Sequence, residues 1–66
     1  MGLNIKIARI KKGLTQKQLA EIVGLSRDYI ANLENEKSVN PTLKTMKSLS
    51  KALNVSIVDL FFSDEK

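Results

Sequence analysis

The stretch GLSRDYIANLE, from Gly24 to Glu34, concentrates side chains that make directional hydrogen bonds. Arg27 carries a rigid fork of donors, Asp28 only accepts, and Asn32 and the following Asn35 both donate and accept. Ile30 and Leu33 are three apart, so on a helix they share a face that can be buried. Arg27, Asp28, Ala31, Asn32 and Asn35 then point largely elsewhere. Other chemistries have no residues to work with. The 66 residues contain no His and no Cys, which removes zinc sites, Cys/His nucleophile pairs and a histidine general base. The carboxylates are few and scattered, and no glycine-rich phosphate loop is present. We therefore expect no catalytic residues, no metal and no cofactor.

Charge points to a kind of partner. The net charge is +4 and the isoelectric point about 9.6, a balance that leans toward nucleic acid or an acidic surface. Lys6, Arg9, Lys11, Lys12 and Lys17 all precede the first acidic residue, Glu21, and Lys44, Lys47 and Lys51 form a second group between Glu36 and Asp59. By themselves such lysines are equally consistent with solvated helix faces. The first residues lack the apolar core and cleavage site of a secretory signal. The longest apolar-rich stretch, VSIVDLFF, is far short of the ~20 residues that span a bilayer. A soluble cytoplasmic protein without membrane contact is expected.

Length implies one small domain over residues 1–66, with 63–66 as a loose tail. A chain of this size buries only about 60% of its unfolded surface, and with no disulfide available, helix packing or dimerisation must supply stability. The apolar spacing is helical, with no strict alternation over a strand length. Thr15, Ser26, Thr42 and Ser56 each stand where a side-chain oxygen caps a helix start. Thr15 with Gln18 makes a capping box, and Ser56 with Asp59 a weaker one. Leu14 with Leu19, Leu25 with Ile30, and Val55 with Leu60 have the spacing of hydrophobic staples. Gly13, Gly24 and Asn54 supply stops, and Pro41 closes a loop.

These signals predict helices at about Asn4–Lys12, Gln16–Val23, Arg27–Asn35, Leu43–Leu53 and Ile57–Phe61. The expected core is Ile5, Ala8, Leu19, Ala20, Val23, Leu25, Ile30, Leu33, Leu43, Met46, Leu49, Leu53, Leu60 and Phe61. Leu3, Ile7 and Ile10 form a second stripe on the first helix, either packed against Phe61 and Phe62 or partly exposed.

Within this frame, Gln16 to Asn35 reads as a helix, a turn at Gly24 and a second helix, with small Ala20 where the two axes approach. Those are the requirements of a helix-turn-helix. LTQKQLAEIVGLSRDYIANLEN resembles the Cro/repressor-type (xenobiotic-response-element-like) helix-turn-helix family at Leu14, Thr15, Gln16, Leu19, Ala20, Gly24, Leu25, Ser26, Ile30, Leu33 and Glu34. NPTLKTMKSLSKALNVSIVDLF resembles the family's fourth and fifth helices at Pro41, Leu43, Ala52, Leu53 and Val55. The likeness runs from about Leu3 to Phe62. It implies an all-α, compact five-helix lambda-repressor-like DNA-binding domain, with the helix-turn-helix at helices 2 and 3, used as a homodimer on a near-palindromic operator. One position departs from the pattern. Where the family often has Gly, this chain has Glu36, so the third helix must end with Asn35 or Asn40 in the left-handed conformation. Pointed inward, Glu36 would also repel a phosphate.

On that likeness, the leading exposed residues of the third helix reach base edges in the major groove. Arg27 suits guanine O6/N7, and Asn32 suits adenine N6/N7 or a phosphate. Ala31 leaves room for a thymine methyl. Asp28 either accepts from cytosine N4 or complements the helix dipole. Tyr29 either lies over the sugar-phosphate or packs half-buried. The resemblance also implies that Gln16 anchors a phosphate at a helix start, the plainer reading being an exposed first helical residue; Lys17, Asn35 and Lys37 are further phosphate candidates. It implies a structural ion pair between Arg9 and Glu34. For the dimer contact the sequence offers Val39, Pro41, Val58 and Phe62.

The expected partner is double-stranded DNA, and the expected role a transcriptional repressor or autoregulator at the nucleoid. The alternative is an antitoxin or adaptor of the same fold whose main partner is another protein. A steep loss of affinity with salt on a discrete palindrome separates the first from the second.

Overall fold

Four hydroxyl residues start four helical segments, each by local chemistry. In the computed structural model, which describes residues 2–37 and 40–62, Thr15 Oγ1 accepts the Gln18 N–H at 3.0 Å while the Thr15 N–H donates to Gln18 Oε1 at 2.8 Å. Ser26 takes the Tyr29 N–H at 3.0 Å, Thr42 the Thr45 N–H at 3.1 Å and Ser56 the Asp59 N–H at 3.0 Å. Each bond satisfies a donor that the helix cannot pair internally. The elements that follow from these starts, after α1 (Gly2–Lys11), are α2 (Gln16–Val23), α3 (Arg27–Glu34), α4 (Leu43–Leu53) and α5 (Val58–Phe62). The last is a single wide turn wound as a π-helix. No strand occurs among the described residues.

The stops are left-handed residues. Gly24 has φ +73° and Asn54 φ +57°, and the Leu25 and Val55 N–H groups reach back to the Ala20 and Ser50 carbonyls. At Gly24 the positive φ turns the chain sharply from α2 into α3, which a Cβ would resist. The end of α3 corrects the expectation for that segment. Asn35 has φ −90°, and among the described residues other than glycine only Glu36 and Asn54 have positive φ. Glu36 itself takes the left-handed position, at φ +56°. The Glu36 N–H bonds to the Leu33 carbonyl and the Lys37 N–H to the Asn32 carbonyl, so a complete Schellman cap forms around a glutamate. Its carboxylate accepts the Gly2 N–H at 3.1 Å and so caps the start of α1. That long-range bond helps offset the local strain.

Burial sorts the apolar residues by direction. Ile5, Leu19, Ile30, Leu33, Leu49 and Leu60 are fully buried, and Ala8, Ala20, Leu53 and Phe61 nearly so. Val23, Leu25 and Met46 pack against this cluster half-buried, as do Leu14 and Val55 of the staples. The packing runs α2 on α3 and α4, and α1 on α3 and α5. Leu43 is 58% exposed, contrary to its place in the expected core. At about 100° per residue it lies roughly 100° round from the direction shared by Leu49 and Leu53, on the first turn, where no described residue buries it. Of the two readings of the α1 stripe, exposure holds: Leu3, Ile7 and Ile10 stand out in solvent, as does Phe62, while Phe61 turns inward.

Candidate nucleic-acid interface

The α2–α3 corner positions one face of α3 outward. Ile30, Leu33 and Glu34 face the interior, and Ala20, 2% exposed, lets the helices approach. What remains outside is Asp28, Asn32 and Asn35, all exposed, with half-buried Ala31 beside them. Arg27 and Tyr29 lie on opposite flanks of that face, Arg27 exposed and Tyr29 half-buried against the core. The structure thus places the expected base-reading residues together on one exposed side of α3. Arg27 Nη2 lies 3.9 Å from Asp28 Oδ1, both side chains largely in solvent. An exposed pair at that distance holds Arg27 weakly, so the guanidinium is available to a ligand.

The buried side of α3 ends in a charge network. Arg9 Nε donates to Glu34 Oε2 at 2.6 Å and Arg9 Nη2 to Glu34 Oε1 at 3.1 Å. The remaining arm, Arg9 Nη1, donates to the Leu14 carbonyl at 2.8 Å. The side chains are only 11% and 2% exposed. This is the bidentate arrangement in which an arginine–carboxylate pair is strongest. Gln16 joins it, with Nε2 donating to Glu34 Oε1 at 3.1 Å. One carboxylate therefore ties α1, the first residue of α2 and the last residue of α3 into a fixed angle. No buried side-chain nitrogen or oxygen among the described residues lacks a partner.

That network changes what Gln16 can offer. One amide N–H is committed to Glu34, which leaves its second N–H and Oε1. The Thr15 cap takes the Gln18 N–H, and the Leu19 N–H goes to the Thr15 carbonyl. The backbone N–H groups of Gln16 and Lys17 precede these, at the positive end of the helix dipole. Lys17 and Lys37 are exposed. Of the residues considered for a dimer contact, Val58 and Phe62 are exposed on α5, Pro41 is half-buried ahead of α4, and Val39 lies outside the described residues.

Gly2 escaped the sequence reading. Its backbone packs so closely on the end of α3 that a Cβ there would overlap the Glu34 carbonyl oxygen and lie 2.8 Å from Glu36 Cγ. The sequence carried no signal for this, because the spacing starts the first helix at Asn4, whereas α1 begins at Gly2. The Gln16–Glu34 bond and the Asn4 Nδ2 bond to the Asp59 carbonyl at 3.0 Å had no signal either, because they join residues far apart in the chain.

Known proteins are similar to this chain in sequence and fold. A family model described as helix-turn-helix matches residues 5–60. The control protein C.SmaI of Serratia marcescens is 47% identical over 57 residues, covering 86% of this chain and 67% of that protein. The immunity repressor protein of Bacillus phage phi105 is 40% identical over 57 residues, covering 86% of this chain but 39% of its own length. The chain thus spans well under half of the phage protein. The crystal structure of SinR, master regulator for biofilm formation, in complex with DNA superposes with a TM-score of 0.85 at 31% identity, covering 92% of this chain and 100% of that one.

Proposed function

The chain belongs to the helix-turn-helix family, and from that premise we propose that it is a DNA-binding transcription regulator, acting as a homodimeric repressor or autoregulator on a near-palindromic operator. The observation that carries this reading is the exposed side of α3, with Arg27, Asp28, Ala31 and Asn32 outward while Glu34 anchors the same helix from within. Arg27 reads guanine and Asn32 adenine, each by a pair of hydrogen bonds. Asp28 accepts from a cytosine amino group, and Ala31 meets a thymine methyl. Gln16, Lys17, Asn35 and Lys37 bind phosphates and set the register, while Tyr29 packs half-buried on the core and offers at most its ring edge and hydroxyl. One copy supplies few base contacts. A two-fold pair with half-sites about 34 Å apart doubles them, and Val58 and Phe62, with Pro41, form the contact between copies. The protein works in the cytoplasm at the nucleoid.

The test is selection of bound duplexes from a random pool, then titration of variants on the winning site. Arg27→Ala and Asn32→Ala are expected to cost ~1–3 kcal/mol each and to relax preference at particular positions. Lys17→Ala is expected to weaken all duplexes alike and reduce the salt slope by about 1. If the two α3 variants weakened every duplex equally, α3 would not be the reader.

A further inference from the structure

The α1 helix is apolar on two opposite sides, and only one of them is buried by the described residues. Ile5 and Ala8 enter the core. On the other side, Leu3, Ile7 and Ile10 follow the i, i+4, i+7 spacing of a helix face and remain 63%, 43% and 57% exposed. Lys6 and Lys11, both exposed, stand on either side of this stripe, each about 40° from its nearest apolar neighbour at ~100° per residue. The helix contains no acidic residue. We infer that this face is a docking surface for an acidic amphipathic helix of another protein.

Charge complementarity selects that occupant. A second copy laid on the same face would bring the lysines of both copies together around a small apolar contact, and like charges across an interface are costly. A lipid surface fits poorly, because α1 spans ten residues and turns much of its apolar content inward, whereas surface-lying helices commit a broad face to the bilayer. The stripe is about 10 Å long, two turns, which matches a short partner helix. Ile7 and Lys11 also line a groove shared with Asp59 of α5. That carboxylate lowers the demand for acid on the Lys11 edge and leaves the Lys6 edge as the more selective one. The surface uses none of the residues assigned to DNA, so the two readings stand or fall separately.

The probe is a synthetic amphipathic peptide of about 15 residues, long enough to be helical once bound, with leucines on one face and glutamates beside them. Its twin carries lysines for the glutamates. Added to the full chain, the glutamate peptide is expected to shift the amide resonances of Leu3, Ile7 and Ile10. The lysine twin should bind about fivefold more weakly. Ile7→Gln or Ile10→Gln should reduce affinity for the glutamate peptide about tenfold or more while leaving the thermal midpoint and duplex DNA binding unchanged. Lys6→Glu should erase or reverse the preference between the peptides. The inference is overturned if neither peptide binds or if both bind equally. It is also overturned if Ile10→Gln abolishes binding to vesicles of anionic phospholipid, which would make the face a membrane contact. Dissociation of a sedimenting dimer by Ile10→Gln would likewise overturn it and assign the face to a second copy.

Discussion

Replacing Glu34 with alanine leaves the Arg9 guanidinium without its counter-charge in a site where the side chain is 11% exposed. Two charge-assisted bonds to Arg9, at 2.6 and 3.1 Å, disappear together with the Gln16 contact at 3.1 Å. Only the bond from Arg9 Nη1 to the Leu14 carbonyl remains. Breaking a buried pair by removing one partner costs about 3–5 kcal/mol. At roughly 0.05–0.15 kcal/mol per residue, a domain of this length has about 3–10 kcal/mol in total. Glu34→Ala should therefore consume a large part of the stability, and near the lower limit it should leave the chain mostly unfolded. Urea titration followed by far-UV circular dichroism measures this directly. The double variant Arg9→Met with Glu34→Leu removes both charges and fills the space, and should return to within about 1–2 kcal/mol of the starting protein. A Glu34→Ala cost below about 1 kcal/mol would place the pair in the exposed regime. A double variant no better than the single would show that the angle between α1 and α3 depends on the ion pair itself rather than on filled volume. Either result would refute the reasoning.

Three further predictions concern the same domain. Glu36→Ala keeps the left-handed strain and loses the bond to the Gly2 N–H, for a cost of about 1 kcal/mol, whereas Glu36→Gly should recover about that amount by relieving φ +56°; the difference between the two urea midpoints checks this. Gly2→Ala should destabilise by about 1–3 kcal/mol through overlap with the backbone at Glu34, although alanine is the better helix former by about 1 kcal/mol, and thermal unfolding gives the sign. Leu49→Ala should cost about 2–5 kcal/mol and Leu43→Ala under about 0.5, since Leu49 is fully buried and Leu43 is 58% exposed, as paired denaturation curves would report.

Chemistry within one helical turn was legible in the sequence. A hydroxyl three residues before a free N–H specifies a helix start without help from the rest of the chain, and Thr15, Ser26, Thr42 and Ser56 all act in this way. The interior directions of α1, α2 and α3 follow from apolar spacing. Leu43 shows where spacing stops helping, because at the first turn of a helix periodicity does not say which flank meets a neighbour. The wide winding of α5 was not legible for a related reason, although Ile57 is helical as expected. A capping serine marks a start, but how tightly five residues wind depends on what Leu60 and Phe61 pack against. At the candidate interface, the outward residues of α3 could be named from spacing and resemblance. That Gln16 spends one N–H on Glu34 could not, since eighteen positions separate them.

Sequence alone determined that the chain is helical, the capping residues that start α2 to α5, the stops at Gly24 and Asn54, the inward faces of α2 and α3, and the absence of any histidine or cysteine. These depend on neighbours within about four residues, where geometry is set by the helix itself. Tertiary structure alone decided that Glu36, rather than an asparagine, turns left-handed, that Gly2 must be bare, and that a single carboxylate holds three helices in register. Among the described residues it also left the second apolar side of α1 exposed. Those outcomes rest on contacts between distant segments, where a carboxylate brought up to a free N–H can outweigh the local cost of an unfavourable backbone angle.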